Sequence, residues 1–154
     1  MAQFSLLPSG EATEFADDIR QLFDELARAL PRERRALSGD CHPSLDVIET
    51  DAAVEVAVDV AGVPADALRI LFRAGMLLVV GEKAPAAGGG EQFHLVEREF
   101  GRFARAVRLA AALDLARARA TLRDGELRIQ LPKLEERRGR PHHIPVARVT
   151  EPQT

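Results

Sequence analysis

Three short apolar runs, residues 54–60, 68–72 and 76–80, constrain this chain more than anything else in it. In the first, Val54, Val56, Val58 and Val60 alternate with Glu55, Ala57 and Asp59. Successive side chains on a strand face opposite ways, so the pattern buries one face and wets the other. In the second, Leu68, Ile70 and Phe72 alternate with Arg69, Leu71 and Arg73. The third, Met76 to Val80, is apolar throughout and stops at Gly81. Ala61-Gly62-Val63-Pro64 and Ala74-Gly75 punctuate the runs, so the pattern predicts an antiparallel β-meander.

Strands are expected on both sides of these runs. Leu45 and Val47 alternate, giving a first strand that ends near Glu49. The Gly-rich stretch 84–92 reads as a loop, and residues 93–98 are compatible with a short strand. Phe103, Arg105, Val107 and Leu109 share one side of the next alternating stretch. Residues 110–120 are ambiguous, because alanine, leucine and arginine content favours helix there, and the structure of 110–116 is left open. Asp124-Gly125 between two alternating stretches is a hairpin signal, which pairs 117–122 with 126–131. Seven or eight short strands with close turn signals predict an all-β chain, a β-sandwich.

The sequence reads as three parts: an arm over 1–42, a domain over 43–133 and a tail over 134–154. In the arm, Phe15, Ile19, Leu22, Phe23, Leu26 and Leu30 recur at helical spacing, acids come early, and Pro31 stops the pattern. That stripe needs cover, from its own domain, a neighbouring subunit or the exposed apolar segments of other proteins. In the tail, Ile144-Pro145-Val146 is an isolated apolar pair in a polar segment, and residues 150–154 are expected to be disordered.

Composition narrows the function classes. A net charge of −3 gives no basic footprint for nucleic acid. No run approaches the ~18 apolar residues of a membrane span, and the arm's polar face is not dominated by cations. The start lacks the pattern of a signal peptide, so the expected location is the cytoplasm. The single Cys41 excludes an internal disulfide. His42, His94, His142 and His143 are scattered, Gly88-Gly89-Gly90 lacks the lysine of a phosphate loop, and no nucleophile has an oriented base. The expectation is no enzyme, no metal and no cofactor.

Several pieces in order carry a resemblance: Asp46-Val47, Val58 to Val63, Leu78 to Glu82, Gly101-Arg102-Phe103, Ala120 with Gly125-Glu126-Leu127, Leu131-Pro132-Lys133 and Ile144-Pro145-Val146. From about Pro43 to Val146 the chain resembles a small heat-shock protein, its middle being similar to an α-crystallin domain. It departs from that pattern at Glu126, where an apolar residue is common, and at Ala61 and Ala110, where Pro is frequent.

The resemblance implies an immunoglobulin-like β-sandwich with a helical N-terminal arm and an extended C-terminal tail. It implies an ATP-independent holdase that works as an oligomer of dimers and binds unfolding client proteins. The strand at 93–98, with Phe93 and Leu95, would pair with the partner's first strand, Leu45 and Val47, with Arg105 near that contact. Ile144, Pro145 and Val146 would dock in a groove between Leu68, Ile70 and Phe72 on one wall and Ala118, Ala120 and Leu122 on the other. Phe15, Ile19, Leu22, Phe23 and Leu26 would form a client-binding arm. The alternative is an adaptor module of the same shape without holdase assembly. Ile144 and Val146 lie two apart and project the same way when extended. Burying both is worth roughly 3–6 kcal/mol before association costs, millimolar to tens of micromolar at best. Such tails are strong only as a group, through effective concentration.

Overall fold

In the computed structural model, residues 9–31, 40–85, 90–134 and 143–146 are described. The expectations for the arm before Ser9, the Arg32 to Arg35 linker, the loop at 86–89, the tail over 135–142 and the terminus after Val146 lie outside those residues. One helix, α1 (Ser9–Ala29), precedes seven strands. These are β1 (Leu45–Glu49), β2 (Ala53–Asp59), β3 (Leu68–Arg73), β4 (Met76–Lys83), β5 (Gly101–Arg108), β6 (Arg119–Arg123) and β7 (Glu126–Pro132). All ladders between these strands are antiparallel, and they form two sheets, ordered β1-β2-β7-β6 and β3-β4-β5.

The expected meander is therefore divided. β2 belongs to the first sheet, and β3 and β4 to the second. Alternation dictates which side chains of a strand share a face, but not which sheet the strand joins. Between β2 and β3 the chain passes through Ala61-Gly62, with Gly62 at φ 80°, then Pro64 and a 3₁₀ turn at Ala65–Ala67. That detour carries it from one layer to the other.

The core lies between the layers. Val54, Val56 and Val58 stand opposite Leu131, Ile129 and Leu127 across the β2–β7 ladder, all buried. The facing layer contributes Leu77, Val79, Phe103 and Val107. Gly81 shares that inner face, where an added Cβ would come within 2.4 Å of Phe103 Cζ and 2.8 Å of the Ala67 carbonyl. Close packing of the Phe103 ring explains the glycine that ends the third run.

Helix α1 lies on the outer face of β3-β4-β5. It meets Arg73 and Arg102, which share that face with Leu71, Met76, Leu78 and Val80 by register. β4 is thus buried on both sides, which is why its run does not alternate. Phe15, Leu22, Leu26 and Leu30 are buried in this contact, with Ile19 and Phe23 half-buried.

The Asp124-Gly125 turn has φ of 51° and 78°, the two positive values a two-residue type I′ hairpin needs, and Ala74-Gly75 has 51° and 77°. The ambiguous stretch 110–116 takes no α-helix, although its composition favours one. Leu113 bridges to Lys133, Asp114 N–H donates to Pro132 O at 2.7 Å, and Leu134 N–H donates to Ala112 O at 2.9 Å. Only a 3₁₀ turn at Leu115–Arg117 remains. Bonding to the end of β7 outcompetes alanine's modest helix propensity.

Candidate functional site: two open edges of the sandwich

The chain entering β1 runs along β5. Cys41 N–H donates to Arg102 O at 3.2 Å, and Arg105 Nη1 donates to Pro43 O at 2.7 Å. The β1 and β5 edges therefore lie on one side of the sandwich, and β6 and β3 on the other.

At the β3/β6 side, register points Leu68, Ile70 and Phe72 inward from one layer, with Ala120 and Leu122 inward from the other. Leu68 is buried; Ile70, Phe72, Ala118 and Leu122 are half-buried against the core; Ala120 is exposed. Each of these strands ends its sheet, so each has a backbone edge without a ladder partner. A half-covered apolar seam flanked by two open strand edges suits an extended apolar segment better than a compact ligand. The six residues named from sequence for a groove lie along this seam.

At the opposite side, β1 is the edge of its sheet and Ile48 is half exposed there. Leu45 and Val47 face inward and are half-buried. The short strand compatible with 93–98 does not form: among the described residues 91–99 make no ladder, and Phe93, Leu95 and Val96 stand out in solvent, Leu95 at 74% exposure. Three exposed apolar side chains on a segment without regular structure, and an open strand edge, are thus both present. Between them, Arg105 Nη1 also lies 3.0 Å from His42 Nε2, while His42 N–H donates to Glu99 Oε2 at 3.1 Å.

A cavity of about 230 Å³ sits beneath this corner, lined in part by Cys41, Lys83, Glu99 and Phe103. Burial pushes the Cys41 thiol up; the Lys83 charge opposes this and the Glu99 charge adds to it. The protonated thiol is a weak nucleophile. Among the described residues no cluster of His, Cys, Asp or Glu could hold a metal, and no helix is long and apolar enough to cross a membrane.

Ile144 and Val146 are 87% and 93% exposed, and Pro145 between them is exposed too. The tail motif is therefore exposed and the seam it was matched to half-covered among the described residues. The five arm residues are brought together, but against the chain's own outer sheet face. Sequence reasoning missed the residues that fix this contact, namely Arg73, Arg102 and Glu82. The available signal was Leu71 and the unbroken run in β4, apolar where an outer face would be polar.

A model of the Hsp20/alpha crystallin family matches residues 46–147. Heat shock protein 16 of Schizosaccharomyces pombe is 30% identical over 127 residues, covering 79% of this chain and 87% of that protein. Among solved structures, Heat shock protein 16.0 from Schizosaccharomyces pombe superposes with a TM-score of 0.60 at 28% identity, covering 70% of this chain and all of that one. A small heat-shock protein from Xylella fastidiosa, described as having a distinct high order structure, gives 0.61 at 26% identity, with 70% and 98% covered.

Proposed function

The chain belongs to the Hsp20/alpha crystallin family, and from that premise we propose that it is an ATP-independent holdase, assembled from dimers into a larger homo-oligomer, that binds unfolding proteins and suppresses their aggregation. One observation carries the reading. A single chain leaves two complementary pairs of surfaces open: the β3/β6 seam with the Ile144-Pro145-Val146 tail, and the β1 edge with the 91–99 segment. Each pair consists of an open strand edge and a segment of the same chain, outside any ladder among the described residues, with exposed apolar side chains; strand addition would bring the two together.

In this reading residues 93–98 add to β1 of the partner, bringing Phe93 and Leu95 against Leu45 and Val47. Arg105 holds the chain at Pro43, just before β1, and so fixes the edge that receives them. Ile144 and Val146 enter the seam of a neighbouring dimer. Each docking is weak alone, so the assembly is held by multivalency and exchanges subunits as tails release. The high-order structure described for the Xylella fastidiosa relative is in keeping with this. Holding an unfolded client draws it from aggregation by mass action and requires no nucleotide. A cytoplasmic setting fits this work.

Light scattering from a heat-denaturing client tests the function. Near-stoichiometric amounts of this chain should suppress the rise without ATP. Undiminished aggregation, or suppression only with ATP, would contradict the reading and favour an adaptor module.

A further inference from the structure

The two outer faces of the sandwich differ. On β2 and β7 the outer face carries Glu55, Glu126, Arg128 and Gln130, with Arg128 bonded to both glutamates. On the other layer it carries Leu71, Met76, Leu78 and Val80, with Ala104 and Ala106 beside them on β5. Helix α1 covers the β3 and β4 part of that face, a trough whose floor is buried Met76, Leu78 and Val80 with half-buried Leu71 and Ala106, while Ala104 stays exposed.

The trough has a polar frame. The Arg73 guanidinium lies 5.6 Å from the Phe15 ring centroid, and its Nη2 is 3.1 Å from Asp18 Oδ2. The Arg102 guanidinium lies 5.3 Å from the Phe23 centroid, while its Nε donates to Glu82 Oε1 at 2.7 Å. Two arginines thus flank an apolar floor and accept aromatic and acidic side chains from an amphipathic helix.

α1 fits this frame imperfectly. Glu82 is 1% exposed, and its Oε2 has no hydrogen-bond partner among the described residues. Asp18 Oδ2, also buried, is paired in charge with Arg73 Nη2 at 3.1 Å, so Glu82 is the group α1 leaves open. Buried acceptors left unsatisfied weaken a contact. An occupant offering a donor to Glu82 would satisfy what α1 leaves open.

We propose that the outer face of β3-β4-β5 is a binding site for amphipathic helical segments of unfolding proteins, with α1 as its tethered internal occupant. The preferred segment carries apolar residues at helical spacing, two aromatics spaced as Phe15 and Phe23 are, to meet Arg73 and Arg102, and a carboxylate positioned for Arg73. This names a client class and rests on the holdase reading. The client surface is then the face beneath the arm, and the arm itself is a competitor. Its tether keeps α1 at a high effective concentration, so the trough stays closed until α1 is displaced.

The test uses the full chain and a fluorescent synthetic peptide of residues 9–30. The Leu22→Asp/Leu26→Asp variant undocks α1 without touching the trough. It should bind the peptide at least about ten-fold more tightly than the wild type does, because the tethered competitor is gone. Adding Arg73→Glu should abolish that gain, and a peptide carrying Asp18→Arg should restore it. If the variant is folded by circular dichroism and binds no more tightly than wild type, the proposal is overturned. If the variant does not fold, Arg73→Glu alone decides. It must bind the Asp18→Arg peptide more tightly than wild type does, and equal affinity overturns the proposal. Client scattering with the same proteins separates the two claims. Peptide binding without client protection leaves the trough standing and rejects the holdase, and protection without peptide binding does the reverse.

Discussion

Ala74 shows how a single residue departs from what its turn requires. Its φ of 51° lies in the left-handed region, where an L side chain with a Cβ is disfavoured by roughly 1–2 kcal/mol. Asparagine tolerates this conformation better. Ala74→Asn should therefore stabilise the domain by up to about 1 kcal/mol in urea unfolding. Glu49 and Lys133 give a second prediction. Lys133 Nζ lies 2.7 Å from Glu49 Oε1, and that hydrogen bond, then the lysine charge, holds the Glu49 carboxyl below its ordinary value of 4.5. A depressed carboxylate contributes stability fully above the ordinary value and loses it as pH falls through the lowered one. Stability should fall more steeply below pH 4.5 in the wild type than in Glu49→Gln, as read from unfolding at a series of pH values. The hairpin turn at Asp124-Gly125 was legible in the sequence because its chemistry is local. Arg73, Arg102 and Glu82 were not, because each draws its meaning from a helix some fifty or more residues away.

Among the elements, β2 and β7 were legible because strict alternation reflects one dry and one wet face. β4 was legible as a strand, but its two-sided burial depends on α1. Local periodicity assigned β2 and β3 to one meander, and the turn at Ala61-Gly62 and Pro64 separates them into two layers. Alanine content suggested helix over 110–120, where hydrogen bonds to Pro132 and from Leu134 pull the chain into an irregular connection. The groove residues were named through a family resemblance; Leu68, Ile70, Phe72, Ala120 and Leu122 among them share an inward register at the sandwich edge. The 91–99 segment belongs to this scale too. Within one chain it has no ladder, yet it presents Phe93, Leu95 and Val96 to water. If it pairs with a partner's β1, Phe93→Ser/Leu95→Ser should raise the dimer dissociation constant by at least about ten-fold, since two buried side chains carry more than 1.4 kcal/mol. Sedimentation velocity over a dilution series reads this directly, and unchanged dissociation would remove the segment from the dimer contact.

At the scale of the whole molecule, the chain is a closed core with open edges. Among the described residues twenty-two hydrophobic side chains are buried together, between the two layers and beneath α1. What a second copy would cover is the seam, the β1 edge, the 91–99 segment and the tail. Function on this account lies in assembly and its reversal. The central claim is that Ile144 and Val146, almost fully exposed in the single chain, are buried in a neighbour's seam in the working protein. Molar mass by multi-angle light scattering tests this most directly, on the full chain and on Ile144→Ala/Val146→Ala. The account predicts a large assembly for the wild type and dimers or other small species for the variant. An unchanged mass in the variant would contradict it.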